Sequence, residues 1–238
     1  MKNTRNGKRL PITLTKAEEQ ALLAQVNTKS TTGLRNRAMI AAMLGAGLRV
    51  SEVVALKPAE VDFQRGEVRV NLGKGGKDRV VPVDAETLGW LRAWSEKRNA
   101  LKFSGRAPLF CAIRRTPLGS KPGQGITART VQALIRRLAR EAGIDKQVTP
   151  HTLRHTFATR ALDASLTIRE VQELLGHSDV STTMIYTHVN PEALRRKIQG
   201  QPGKTELQEQ IAALQTQLDE LQQAAADVEN HSNSTQGA

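Results

Sequence analysis

The spacing of apolar residues changes abruptly at residues 66–83, "GEVRVNLGKGGKDRVVPV", and that change limits the fold more than any other feature. On either side apolar positions recur at three and four residues, the spacing of half-buried helices. Inside, β-branched residues alternate, as in a strand covered on one face. Two such runs, "GEVRVNL" and "RVVPV", flank the glycine-rich "GKGGKD" and read as an antiparallel hairpin. A hairpin set among helices makes the chain mainly α with a small antiparallel sheet, an α+β fold.

The helices are marked by their ends. Thr15 and Glu18 in "TKAEE" form a capping box that opens a helix to about Val26. A helix rich in Ala, Met and Leu spans about 34–44, stops at "GAGLR", and is followed directly by a short "SEVVAL" helix. Asp84 starts another, carrying Trp90, Leu91 and Trp94, and residues 102–126 form a loop region with Gly and Pro. A helix over about 127–142 places Val131, Leu134, Ile135 and Leu138 on one side. Arg129, Arg136 and Arg140 fall on another face, suited to phosphates, and Gly143 ends the helix. "TPHTLRHTFATRAL" has Pro in its first turn and reads as a helix to about Leu162. Thr167 and Glu170 cap "IREVQELL", which Gly176 stops; a short helix then carries Tyr186, and another runs over 191–198.

After "GQPGK" the pattern changes again. Leu207, Ile211, Leu214, Leu218, Leu221, Ala225 and Val228 recur at steps of four and three, a heptad seam. The expected organisation is a basic arm at 1–11, a folded domain over 12–200, an acidic heptad helix able to form a coiled coil at 201–229, and a disordered polar tail at 230–238.

Charge narrows the class of partner. The chain carries a net +12, yet residues 201–238 hold Lys204 against six acids, so residues 1–200 alone carry +17. Such an excess on one folded unit points to a polyanion, most often nucleic acid. Aromatics are only 3% of residues, so the core must be built from Leu, Val, Ile and Ala. Cys111, the sole cysteine, excludes an intramolecular disulfide and fits a reducing cytoplasm. No apolar run approaches the ~20 residues of a membrane span, and "MKNTRNGKRLPITL" lacks the apolar stretch of a signal peptide.

Chemistry on a phosphodiester needs a nucleophile, cations on the non-bridging oxygens, and an acid for the departing oxygen. His151 and Arg154 lie three residues apart, hence on one helical face, with His155 one step further. Arg49 stands at a glycine-terminated helix end, where a guanidinium can approach a ligand, and Lys74 sits on the hairpin tip. Taken singly, Arg49 is more often a surface charge, Lys74 a solvated turn residue, and His177 a helix cap. The His151–His155 spacing would suit zinc, but no Glu follows His151, so the metalloprotease pattern fails.

Together these segments resemble the tyrosine recombinase (phage integrase) family, closest to its Xer-like bacterial members, over about residues 12–198. The resemblance is carried by Arg49 in "GLRVSEV", Lys74 in "GKGGKDRVVPV", His151 and Arg154 in "HTLRHTFAT", His177 in "LLGHSDVSTT" and Tyr186, the only tyrosine, in "MIYTHV". It implies the family's catalytic fold over 12–200 and a site-specific recombinase that needs no metal or cofactor. Tyr186 would attack the phosphate and form a 3′-phosphotyrosyl link. Arg49 and Arg154 would clamp non-bridging oxygens, and Lys74 would protonate the 5′-oxygen. His151 would assist proton transfer at Tyr186, and His177 would hydrogen-bond the phosphate. Glu52 would position the Arg49 region, and His155 would support its helix from outside the site. Arg129, Arg136, Arg140, Lys77 and Arg79 are expected DNA contacts.

The implied partners are a double-stranded DNA target site and further copies of the chain, as a tetramer on DNA; the implied location is cytoplasmic and nucleoid-associated, for a bacterial or phage-like protein. Family members usually carry a helical DNA-binding domain before the catalytic one, and Arg49 comes too early to leave room for it. The expectation is either a minimal recombinase or a separate accessory DNA-binding protein; the acidic tail is a second departure. An accessory DNA-binding regulator and a type IB topoisomerase-like relaxase remain open beside the recombinase.

Overall fold

A helix buried on nearly every side stands at the centre of the protein in the computed structural model, which describes residues 11–71, 78–115, 119–176, 195 and 197–199. This is α2, Thr31–Ala46, in which every residue from Ala38 to Ala46 is buried. Only a helix apolar all round can occupy such a position, and "AMIAAMLGA" provides it. Ser30 caps its start by accepting from Gly33 N, which sets the first turn three residues earlier than the apolar pattern alone implies. Helices α4 (Ala85–Ala100) and α6 (Pro150–Asp163) pack against it, and α3 (Val50–Ala55) follows from its end.

The expected hairpin forms from β2, Glu67–Val70, and β3, Arg79–Pro82, antiparallel with Val68 opposite Val81. A further two-residue strand, β1, Val61–Asp62, extends the sheet in the order β1-β2-β3. Two residues are too few to show an alternation, so β1 is silent in the sequence. Helix α1, Lys16–Ala24, opens on the expected capping box: Thr15 accepts from Glu18 N, and the Glu18 carboxylate accepts from Thr15 N. Lys146 donates to that carboxylate at 2.7 Å and to Thr13 O at 2.9 Å, tying the entry segment to the loop after α5 (Ala128–Glu141).

Helix α5 buries Val131, Ile135 and Leu138 and leaves Arg129, Arg136 and Arg140 exposed along one stripe. In α4 the buried Trp94 donates its indole N–H to Leu109 O at 2.9 Å, whereas the half-buried Trp90 lies beneath Arg37, 4.6 Å from ring centroid to guanidinium carbon. Helix α7, Ile168–Leu175, is the last numbered helix among the described residues and ends at Gly176 in the left-handed region. Arg195 bonds Glu67, and Lys197 bonds Glu170. No described helix is long and apolar enough to cross a membrane. Residues 1–10 of the basic arm, Lys74 and Lys77, His177, the Tyr186 segment and everything from Gly200 onward lie outside the described residues.

Candidate active site

Two glycines in left-handed conformation set the frame. Gly47 (φ 58°) turns the chain sharply after α2, and a Cβ there would meet Phe157 Cδ1 at 2.4 Å. The turn delivers Arg49 to the N-terminus of α3, where its backbone N–H donates to Glu52 Oε2 at 2.7 Å and its Nη1 donates to Glu52 Oε1 at 2.9 Å. Gly176 (φ 62°) likewise stops α7 and leaves three consecutive carbonyls, those of residues 174–176, pointing out of the helix end.

Each of those carbonyls takes one arginine. Arg79 Nε donates to Leu174 O at 2.6 Å, Arg154 Nη2 to Leu175 O at 2.6 Å, and Arg49 Nη2 to Gly176 O at 2.9 Å. The negative end of a helix dipole favours such cations. Arg154 also donates from Nη1 to Gly47 O at 2.6 Å, so one guanidinium clasps the ends of both α2 and α7.

Glu52 lies at the centre. Besides Arg49, it accepts a paired set of bonds from Arg79, Nη1 to Oε1 at 2.9 Å and Nη2 to Oε2 at 2.8 Å, and stands 4.0 Å from Arg154. Burial raises its carboxyl pKa, but hydrogen bonds and charge from Arg79 and Arg49 outweigh this and hold it below the ordinary value. Burial, then the neighbouring Arg49, lowers Arg154 to about 10 against the pull of Glu52. Three guanidiniums around one carboxylate leave a net +2. Removing one partner of such a buried set costs about 3–5 kcal/mol.

That surplus charge can serve an anion. Arg49 and Arg154 each have N–H groups beyond the two in use, since a guanidinium carries five. The Arg49 side chain is 33% exposed and Arg154 8%, so Arg49 is the more open of the pair. His151, in the first turn of α6, and His155 are both exposed. Burial, then the charges of His151 and Arg154, lowers the His155 pKa. Among the described residues no group of three or more His, Cys, Asp or Glu could hold a metal ion.

The structure thus brings Arg49, Arg154 and Glu52 together and sets His151 on the helix that carries Arg154. Arg79 departs from its expected place as a DNA contact. It is buried, with every guanidinium nitrogen bonded to Glu52 or α7, because the first residue of β3 points inward. Arg129, Arg136 and Arg140 are exposed on α5, compatible with their expected role. Lys74, Lys77, His177 and Tyr186 cannot be placed, being outside the described residues. Sequence reasoning missed Arg79 as a partner of Glu52, since the two lie 27 positions apart and neither segment marks the other.

Residues 13–193 match the Phage integrase family. The chain is 47% identical over 188 residues to the tyrosine recombinase XerD of Ralstonia nicotianae, covering 79% of this chain and 59% of that protein. It is 41% identical over 180 residues to the tyrosine recombinase XerC of Xanthomonas campestris pv. campestris, covering 76% and 52%. The chain therefore spans between half and three fifths of the length of these two relatives. Among solved structures, the XerA recombinase superposes with a TM-score of 0.63 at 36% identity, covering 80% of this chain and 65% of that one. The XerH site-specific recombinase in a pre-cleavage complex bound to difH substrate gives 0.60 at 27% identity, covering 77% and 52%. With its family pattern spanning the helices and sheet that assemble the arginine cluster, this chain belongs to the phage integrase family.

Proposed function

We propose that the protein is a site-specific DNA recombinase that cuts and rejoins double-stranded DNA through a 3′-phosphotyrosyl intermediate on Tyr186. The observation that carries this reading is the convergence of Arg49 and Arg154 beside one carboxylate, with net positive charge and unused N–H groups, at the helix end that leads into His177. Arginine suits the task because its planar, permanently charged fork matches two phosphate oxygens.

In the proposed step Tyr186 Oη attacks phosphorus. The new P–Oη bond forms as the bond to the 5′-oxygen breaks. The phenol proton passes to His151, Lys74 supplies a proton to the departing 5′-oxygen, and Arg49, Arg154 and His177 hold the non-bridging oxygens. A phenol has a pKa near ~10, so forming its anion at pH 7 costs about 4 kcal/mol, which nearby cations offset. Attack by a 5′-hydroxyl of another strand reverses the step and releases Tyr186, so no metal or nucleotide enters the balance. The exposed Arg129, Arg136 and Arg140, with Lys77, contact phosphates of the flanking duplex. Exchange between two DNA sites calls for several subunits, a tetramer in this reading, and the heptad seam over residues 207–228 raises their local concentration.

A nicked suicide substrate tests the chemistry. Wild-type protein forms a covalent adduct that survives denaturing electrophoresis, and Tyr186→Phe forms none while binding the same DNA. An adduct persisting in Tyr186→Phe removes Tyr186 as the nucleophile.

A further inference from the structure

Arg79 carries a role that neither its charge nor its place on a hairpin reveals. Its guanidinium donates to Leu174 O, Glu52 Oε1 and Glu52 Oε2, and the side chain is only 7% exposed. Yet Arg79 lies five residues beyond Lys74, and the carbonyl it holds lies three residues before His177. Through Glu52 it also reaches Arg49. One side chain therefore links the strand after the Lys74 turn, the Arg49 helix and the end of α7.

The hydrogen bonds at Glu52 show what this link does. The carboxylate accepts two bonds from Arg79, one from Arg49 Nη1 and one from Arg49 N, which fills its usual capacity. With Arg79 gone, the net charge of the cluster falls from +2 to +1, and Arg49 becomes the nearest cation for a buried carboxylate. Arg49 is then drawn toward Glu52 in competition with an incoming phosphate. Leu174 O loses its donor in the same change. Gly176 fits this arrangement: a Cβ there would lie 3.0 Å from Arg79 Nη1 and 3.1 Å from its Cδ, so the left-handed glycine also makes room for the guanidinium.

We propose that Arg79 is a positioning residue for DNA cleavage, neutralising Glu52 and holding the end of α7 so that Arg49 and the segment leading to His177 are set for the non-bridging oxygens. The proposal rests on the cleavage reading above. It assigns Arg79 to the phosphate-clamping side of the reaction and not to the departing oxygen.

Two suicide substrates separate those sides, one with the ordinary 5′-bridging oxygen and one with sulfur there, which departs without needing a proton. The full chain is compared as wild type, Arg79→Lys, Arg79→Met and Lys74→Ala. Both Arg79 variants are expected to bind DNA like wild type. Adduct formation slows by roughly 10-fold for Arg79→Lys and roughly 100-fold for Arg79→Met, equally on the two substrates, since misplacing a clamp by about 1 Å has effects of that size. Lys74→Ala recovers on the sulfur substrate. Recovery of Arg79→Met on sulfur would show that Arg79 acts by holding the Lys74 turn, and overturns the proposal; so does a wild-type rate in either variant. Arg79→Lys keeps a cation beside Glu52, so it decides the matter if Arg79→Met fails to fold. Loss of DNA binding in parallel with cleavage in Arg79→Lys would reduce Arg79 to support of the fold. If wild-type protein forms no adduct, the cleavage reading itself is what fails.

Discussion

In the proposed reaction Arg154 illustrates why arginine, and not merely a cation, suits the cluster around Glu52. Burial, followed by the charge of Arg49, lowers its guanidinium to about 10, which still leaves it charged at neutral pH. A lysine starts near ~10.4, and the same burial carries it further down, toward neutral pH. A lowered cationic pKa means that charge is lost as pH rises through the lowered value. Arg154→Lys is therefore expected to cleave DNA more slowly than wild type by a factor that grows between pH 6 and pH 9. Arg49→Lys, at a position one-third exposed, shows a defect that changes little over that range. Single-turnover cleavage rates, taken as ratios to wild type at each pH, cancel whatever pH dependence the two proteins share. A pH-independent ratio for Arg154→Lys would show that geometry alone, without loss of charge, accounts for its defect.

At the scale of single elements, what the sequence shows depends on how local the cause is. The Thr15–Glu18 and Thr167–Glu170 boxes are legible because cap and partner lie three residues apart, and both form. Pro150 at the start of α6 and the apolar face of α5 are legible for the same reason. Residue types at the candidate site are legible too, as Arg49, His151 and Arg154 within recognisable segments. The partners of Arg79 are not, because Glu52 is 27 positions away and Leu174 is 95. An arginine that closes a long-range contact looks, in sequence, like one that meets DNA. The α7 box offers a direct energetic test. Thr167 accepts from Glu170 N at 3.2 Å, and Glu170 returns a bond to Thr167 N at 2.6 Å. Thr167→Ala removes the first of these, together with the 2.9 Å bond that Thr167 Oγ1 donates to Glu170 Oε2, and is expected to cost about 1 kcal/mol. The urea midpoint falls with an unchanged slope; a changed slope would mean that α7 no longer unfolds with the rest of the domain.

For the whole molecule, net charge overstates what the proposed DNA partner can meet. Residues 1–200 carry +17, but Arg35, Arg37, Arg79 and Arg98 are buried outside the phosphate clamp. Arg98 holds the carbonyls of Ser104, Ala107 and Pro108, Arg35 donates to Cys111 O and Asn36, and Arg37 pairs with Glu86. These arginines build loops and helix contacts, and water and counterions have little access to them. Counterion release on binding must come instead from exposed cations, of which the α5 stripe of Arg129, Arg136 and Arg140 forms one ordered row. Each phosphate neutralised contributes about −0.9 to the slope of log K against log salt. Arg136→Ala and Arg140→Ala are each expected to make that slope shallower by about 0.9, and the double variant by about 1.8, on specific and unrelated DNA alike. Fluorescence anisotropy across a salt series measures the slope. If the double variant keeps the wild-type slope, the duplex does not lie along α5, and the exposed cations that face it must be sought on another side of the domain.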